Sequence, residues 1–341
     1  MRGACGVRRI VMGGGSLRRI VVLSDLHFGD QSALLVRDEL VEKLFTELSA
    51  LGDIDMLVLL GDVWDMWSAG FTAAARAGTP FFSALAAWGV PRECLLITGN
   101  HDYHLWAACE ERRLRREMGW EDVENVSIPI APGQATLERV CLVRDLPLWM
   151  RYPFLTIEVG GRTVLLMHGH HLDFFSRSFW WAKTSWLARW VLGRSRGVAL
   201  SDLDRLNKPF FELLTHTAHV PELRAWEYRF YGLLRFFARL LRFQSKSGGS
   251  PRRLTSVEQN TGEAEELLRD LLPGHIPDLF VFGHTHRAGF SHIMTGERRV
   301  LMANSGCWVE GSGGETAMTY LVIDGAVRLR RLGGEEITAR L

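Results

Sequence analysis

The chain has 341 residues, enough for one elaborated α/β domain or two domains and too many for a single small core. Its net charge of +1 excludes a general nucleic-acid-binding polycation, and its 47% apolar content is ordinary for a globular protein. The five cysteines (Cys5, Cys94, Cys109, Cys141, Cys307) are odd in number and form no Cys-x-x-Cys pair, which favours reduced thiols in a cytosolic setting over a disulfide framework.

Residues 1–18 include basic residues and a GGGS run but no apolar segment of signal-peptide type, so they read as a flexible lead, with order expected from Arg19. RIVVLSD (19–25) is a short β-branched run and predicts a buried strand. Residues 32–51 have helical spacing, DMLVLLGD (55–62) is a second strand, and residues 70–89 are helical, ending near Gly89 and Pro91. ECLLITGNHD (93–102) is a third strand running into a polar loop. Strands alternating with helices predict a layered α/β fold.

Beyond about residue 120 the pattern changes. FLTIEV (154–159) and TVLLMHG (163–169) flank Gly160-Gly161, a hairpin signature. A helical insertion follows over residues 172–250, closed by the SKSGGSPRR loop at 245–253. Then come the short strand runs DLFVFGH, AGFSHIM, RRVLMAN, MTYLVI and AVRLRRL, with a turn at Asp324-Gly325, so the second half contributes more antiparallel pairing. The expected organisation is a core built from 19–171 and 251–341, interrupted by 172–250. No stretch reaches the roughly 20 apolar residues of a membrane-spanning helix.

Polar residues gather where apolar strands stop: Asp25-Leu26-His27, Gly61-Asp62, Gly99-Asn100-His101-Asp102, His168-Gly169-His170-His171 and Gly283-His284-Thr285-His286. In open α/β sheets, ligands bind beyond the carboxyl ends of the strands. Imidazole and carboxylate without thiolate suit borderline transition metals. Seven such ligands exceed one ion's coordination and fit two ions sharing a carboxylate. In Asp25-x-His27 and His284-x-His286, spacing of i and i+2 on an extended strand end would point both side chains one way. The glycines before Asp62, Asn100 and His284 allow sharp turns and close approach. Taken singly, each motif also fits a plain turn, helix cap or structural histidine; the five in order at strand ends do not.

The five blocks together resemble the calcineurin-like metallophosphoesterases. That resemblance implies a four-layer α/β/β/α sandwich with a dimetal site. By position, Asp25, His27 and His286 match the ligands of one metal, Asn100, His168 and His284 those of the other, and Asp62 the bridge; His170 is the substitute if His168 is not the ligand. His101 matches the histidine that acts on substrate without binding metal. Two cations about 3.5–4 Å apart would neutralise phosphoryl oxygens and acidify a shared water for in-line attack on phosphorus. His101 would protonate the leaving oxygen or stabilise its charge. Asp102 either orients His101 or caps the next helix. Mn²⁺ is the first expectation, with Fe or Zn²⁺ compatible with the same ligands.

GDVWDMW (61–67), GNHDY, HGHHLD, GHTHR and NSGCWV (304–309) are similar to the branch of bacterial enzymes related to UDP-2,3-diacylglucosamine hydrolases. The best-studied form there is shorter, has Arg in place of His101, and has Asp two positions after the match to His168, so the resemblance is to a related group. The insertion 172–250 is less than a quarter of the chain yet holds nearly half its aromatic residues, which marks it as a specialised module. In 222–243, Trp226, Phe230 and Phe237 share one helical face, and Arg235, Arg239 and Arg242 fall opposite. That is the profile of an interfacial helix, and equally of a helical cap packed on the core. Trp180 and Trp181 belong to a second aromatic and basic run at 174–194. Asp65, Trp64 and Trp67 are expected around the site, as supporting or pocket-wall residues or as packing, and Arg287 beside substrate phosphate or in a surface ion pair.

The expectation is thus a dimetal hydrolase of a pyrophosphate or phosphodiester in a phosphorylated, lipid-linked small molecule, at the cytoplasmic membrane face. A soluble nucleotide phosphodiesterase, phosphoprotein phosphatase or nuclease keeps the chemistry and changes the substrate; a metal-binding scaffold without catalysis is the third reading. An aromatic-and-basic grip on single-stranded nucleic acid is disfavoured because the chain is not basic overall.

Overall fold

The computed structural model describes residues 17–89, 91, 93–117, 130–131, 134–136, 147–172, 200–217, 257–270, 272, 274, 276–311 and 317–340. The lead at 1–16, Trp180, Trp181, the 245–253 loop and the 222–243 helix with Trp226, Phe230, Arg235, Phe237, Arg239 and Arg242 lie outside the described residues. In chain order the elements are β1 (Ile20–Leu23), α1 (Asp38–Ser49), β2 (Met56–Leu60), α2 (Phe71–Ala77), α3 (Thr79–Trp88), β3 (Glu93–Ile97), α4 (Tyr103–Glu117), β4 (Ile130–Ala131), β5 (Gln134–Thr136), β6 (Pro147–Arg151), β7 (Phe154–Val159) and β8 (Arg162–Met167). Then follow α5 (Leu200–Thr217), α6 (Thr261–Asp270), β9 (Leu279–Phe282), β10 (Gly289–Thr295), β11 (Arg298–Asn304), β12 (Thr319–Ile323), β13 (Val327–Arg331) and β14 (Glu336–Ala339).

Two sheets result. The nine-stranded sheet has the order β14-β13-β12-β1-β2-β3-β6-β5-β4, and the five-stranded sheet β10-β11-β9-β8-β7. β1, β2, β3 and β6 are mutually parallel, and β12 joins β1 antiparallel with Ile20 opposite Ile323. Strand alternation then dictates the layers. Val21, Leu23, Leu57 and Leu59 face outward beneath α1 and α3, packing with Leu44, Leu48 and Phe81. Ile20, Val22, Met56 and Val58 point the other way, onto Val164, Leu166, Leu279 and Val281 of the second sheet. That sheet's far face offers Phe280 and Phe282 to Ala264, Leu267 and Leu268 of α6. The result is the four-layer α/β/β/α sandwich. Its central strands read as unbroken apolar runs because both faces are covered. Each such side chain taken from water contributes about 1.5–3 kcal/mol.

The helices follow their patterns. In α1, Val41, Leu44, Phe45 and Leu48 are buried at i, i+3, i+4 and i+7, and Asp38 and Glu39 occupy the positive first turn. The single helix expected over 70–89 is two, α2 and α3, meeting at Gly78 with Pro80 in the first turn of α3. Proline suits a helix start and breaks a helix interior. The expected antiparallel character of the second half divides between the sheets: β10 pairs antiparallel with β11 in one, while β12–β14 extend the other beyond β1. Among the described residues no helix is long and apolar enough to cross a membrane.

Candidate metal centre

The carboxyl ends of β1, β2, β3, β8 and β9 come together at one edge of the sandwich. Parallel register sets β1, β2 and β3 side by side, with Leu23 opposite Leu59 and Leu60 opposite Ile97, so the loops that follow must meet. β8 and β9 run parallel in the facing sheet. They deliver Asp25 and His27, Asp62 and Asp65, Asn100 to Asp102, His168 to His171, and His284 to His286, of which His27, Asp62, Asp65, His101, His284 and His286 line a cleft of about 300 Å³.

The local backbone differs from the extended strand ends expected from sequence. Asp25 (φ 54°), His27 (51°), Asp62 (51°), His284 (65°) and His286 (59°) all lie in the left-handed region. Such residues are uncommon and cost of order 1–3 kcal/mol each unless the surroundings impose them. Here hydrogen bonds impose them. The Asp25 amide donates to Gly61 O at 3.0 Å, the His27 amide to Asp62 O at 2.9 Å, and the His284 amide to the Asp25 carboxylate at 3.0 Å. The two Asp-x-His and His-x-His pairs therefore converge through successive left-handed turns and not through the pleat.

Close approach explains two of the glycines. A Cβ on Gly99 would stand 2.2 Å from Asp62 Oδ1 and 2.6 Å from its amide nitrogen, and one on Gly283 would stand 2.4 Å from Asp25 Oδ2. Gly99→Ala is accordingly expected to cost about 1–3 kcal/mol through overpacking and to displace Asp62. Thermal denaturation and metal analysis of the variant read this; an unchanged Tm with unchanged metal content contradicts the packing.

Three clusters of potential ligands result, each with donor atoms within 4.8 Å of one another: Asp25, His27 and His286; His27, Asp62 and His101; Asp62, His168 and His284. His27 Nε2 is 3.1 Å from His286 Nε2, and His286 Nε2 is 3.3 Å from Asp25 Oδ1. His168 donates from Nδ1 to Leu60 O at 2.9 Å, which leaves Nε2 as its ligating nitrogen, 3.1 Å from Asp62 Oδ2. The chemistry of these residues fits a pair of cations. Asn100 Oδ1 is buried without a hydrogen-bond partner among the described residues, a costly arrangement that ligation removes.

The electrostatics point the same way. Burial alone would favour neutral Asp62, but the charges of His168 and His101 outweigh it and hold its carboxyl well below the usual range. Burial likewise opposes ionisation of Asp25, and the hydrogen bond and charge of His286 lower it nonetheless. Reciprocally, burial disfavours charged His168, yet Asp62 pushes it up to about 9; burial disfavours charged His286, yet Asp25 pushes it up to about 11. The site holds positive charge tightly, whether as protons or as metal.

Of the other residues singled out by sequence, Asp65 stands closest to the chemistry. Its Oδ1 accepts from His101 Nδ1 at 2.9 Å and from the amides of Trp67 and Ser68, and its Oδ2 is 3.5 Å from His27 Nδ1. Burial disfavours charged His101, but Asp65 and then Asp62 push it up to about 9. Trp67 stacks on the His101 ring with centroids 4.0 Å apart, whereas Trp64 is buried and stacked on Phe82. Asp102 does not hold His101: it accepts from the amides of Val63 at 2.8 Å and Gly99 at 2.6 Å, tying the loop after β3 to the loop after β2. Burial, with Asp62 adding to it, raises Asp102 to about 7.

His170 is buried at the edge of the cluster, 4.0 Å from the His171 ring, with its Nδ1 unpartnered among the described residues. Arg287 is half-buried, and its Nε also lacks a hydrogen-bond partner there. The NSGCWV run, singled out by sequence without a stated role, acts as a support. Asn304 donates to Gly283 O at 2.7 Å, Ser305 pairs with Ser24, and Trp308 donates its amide to Asp25 O, so the NSGCWV run braces two ligand loops from behind. Asp204 of α5 binds Tyr152 and His171, at 2.6 and 2.8 Å, and is invisible as a site residue in the sequence.

A four-layer sandwich whose facing sheets bring carboxylates and imidazoles into candidate dimetal clusters is that of a metal-dependent phosphoesterase. The chain belongs to the calcineurin-like phosphoesterase family, whose model matches residues 18–288. Similar solved structures include a dimetal phosphatase of Danio rerio, at 13% identity over 96% of this chain and 99% of that one, with a TM-score of 0.42. A conserved uncharacterised protein of Streptococcus pneumoniae, described as a predicted phosphoesterase, is similar at 12% identity over 96% and 99%, with a TM-score of 0.34. A cold-active protein-tyrosine phosphatase of a psychrophilic Shewanella is similar at 14% identity over 95% and 80%, with a TM-score of 0.35. A comparison with curated proteins finds no match.

Proposed function

We propose that this phosphohydrolase cleaves a pyrophosphate or phosphodiester bond in a nucleotide-linked lipid of the UDP-2,3-diacylglucosamine kind, at the cytosolic face of a membrane. Asp25, His27 and His286 would hold one cation and Asn100, His168 and His284 the second, with Asp62 the carboxylate shared by both. Mn²⁺ is the expected metal. Two such ions supply neutralisation of the phosphoryl oxygens and an acidified water as nucleophile.

The protein's own part rests on one observation above the others, the Asp65–His101 pair at 2.9 Å. With Nδ1 engaged by Asp65 and one ring face covered by Trp67, His101 presents Nε2 to the cleft it lines. From there it donates a hydrogen bond, then the proton, to the leaving oxygen. Asp65 also approaches His27 Nδ1, which leaves the Nε2 of that ring for a cation. Arg287, with its unpartnered Nε beside the His284–His286 loop, is suited to a second substrate phosphate, which a pyrophosphate has.

Lipid linkage is supported by the aromatic and basic composition of the insertion. Mass spectrometry of a reaction containing UDP-2,3-diacylglucosamine and Mn²⁺ is expected to find uridine monophosphate and a diacylated sugar phosphate. Turnover of soluble diesters with none of this substrate rejects the lipid reading and leaves a soluble phosphodiesterase. Deleting 222–243 is expected to abolish co-sedimentation with anionic liposomes; unchanged binding removes the interfacial helix from the account.

A further inference from the structure

Away from the strand ends, two histidines and a glutamate meet between α4 and α5. Glu212 and His216 stand one turn apart on α5, hence on one face of it. His104, in the first turn of α4, reaches across, with its Nδ1 2.7 Å from Glu212 Oε2, while His216 Nε2 lies 3.6 Å from the same oxygen. The two imidazole rings are edge to face at 5.4 Å. All three residues offer a donor atom within 4.8 Å of the others.

We propose that His104, Glu212 and His216 form a third metal site, of the Zn²⁺ class, that fastens α5 to the core. Two imidazoles and one carboxylate are a ligand set that Zn²⁺ takes readily, with a water completing the tetrahedron, and that Mg²⁺ and Ca²⁺ avoid. Ligands around Zn²⁺ sit about 2.0–2.2 Å from the metal, so the cluster needs only to open slightly around an ion. The second oxygen, Glu212 Oε1, is buried with no hydrogen-bond partner among the described residues. An ion pair with His104 alone leaves that oxygen's desolvation uncompensated. Burial disfavours ionised Glu212, yet His104, His216 and Lys208 together lower its pKa, so the carboxylate is ready to bind a cation.

The site has a structural consequence because of what lies next to it on α5. Phe211, adjacent to Glu212, packs 5.6 Å from Trp67, 5.5 Å from Tyr103 and 5.7 Å from His170. A metal between α4 and α5 therefore holds Phe211 against the tryptophan that covers His101, joining the insertion to the hydrolytic site by a ligand set with no residue in common with it.

Equilibrium dialysis of the full chain against micromolar free Zn²⁺, followed by elemental analysis, tests the site. Wild type is expected to hold one equivalent more than His216→Ala and than Glu212→Gln, and His216→Cys, which retains a zinc donor, to regain it. Zn²⁺ added to metal-stripped protein is expected to raise the Tm of wild type above that reached by His216→Ala. His216 is largely exposed, so its truncation leaves the fold in place. Equal zinc content in wild type and His216→Ala overturns the proposal, and, being a difference, does so whatever number of ions the strand-end clusters hold.

Discussion

Asp62→Asn is expected to lower kcat/KM by about a thousandfold or more, equivalent to several kcal/mol of lost charge stabilisation, and to reduce the metal content of the purified protein. The substitution keeps the side chain's shape and removes one negative charge. Asp62 approaches His168 at 3.1 Å and His27 at 3.8 Å, so it is the carboxylate within reach of both halves of the centre. Its Oδ1 also accepts the His101 amide at 2.9 Å, a bond that a carboxamide can reproduce in only one of its two flip states. Loss at Asp62 is therefore expected to exceed loss at Asp25, whose carboxylate falls in a single ligand cluster, with His27 and His286. Steady-state kinetics with elemental analysis measure both effects; a D62N variant that retains full metal and activity removes Asp62 from the bridging role.

The second large effect is expected at His101. His101→Gln should lower kcat by about 10²–10⁴-fold, the usual worth of a positioned acid, while metal content stays at the wild-type level. The two measurements separate a proton donor from a ligand. Leaving-group chemistry sharpens the test, because a para-nitrophenolate departs without a proton and an alkoxide does not. The loss is expected to be small for the nitrophenyl ester and full for an alkyl or sugar ester. Asp65, whose contact is with the His101 ring, is expected to act as a positioning residue. A uniform loss across leaving groups, or loss of metal from the His101 variant, contradicts the assignment.

The central strands were legible because they are buried on both faces: IVVL and LFVF are continuous apolar runs, and nothing but a covered sheet accommodates them. β14 was not, since it is four residues long and Glu336, Ile337 and Thr338 are all exposed, so its brief alternation has no buried face to mark it; pairing with β13, not burial, makes it a strand. The break between α2 and α3 was hidden because the apolar pattern of 70–89 continues through Gly78, and the proline that ends one helix also begins the next.

The site divides along a similar line. Its residue types and their places at strand ends could be read from sequence, because each follows an apolar run directly. Their supports could be read only in part: Asp65 was expected near the site, but not its partner. Adjacency suggested Asp102 as the orienter of His101, yet Asp65, 36 residues away, makes that contact, because parallel pairing of β2 with β3 sets their terminal loops against each other. The left-handed backbone at five of these residues is likewise a product of inter-loop hydrogen bonds and not of local propensity, which runs against it for aspartate and histidine in succession. His104 and Glu212, 108 residues apart, share no motif that would join them before the helices pack.

The most direct test of the account is anomalous scattering from crystals of the full chain grown with Mn²⁺. Two ions are expected at the strand ends, one against Asp25, His27 and His286 and the other against Asn100, His168 and His284, with Asp62 touching both. A single ion, or none with these side chains turned away from one another, contradicts it.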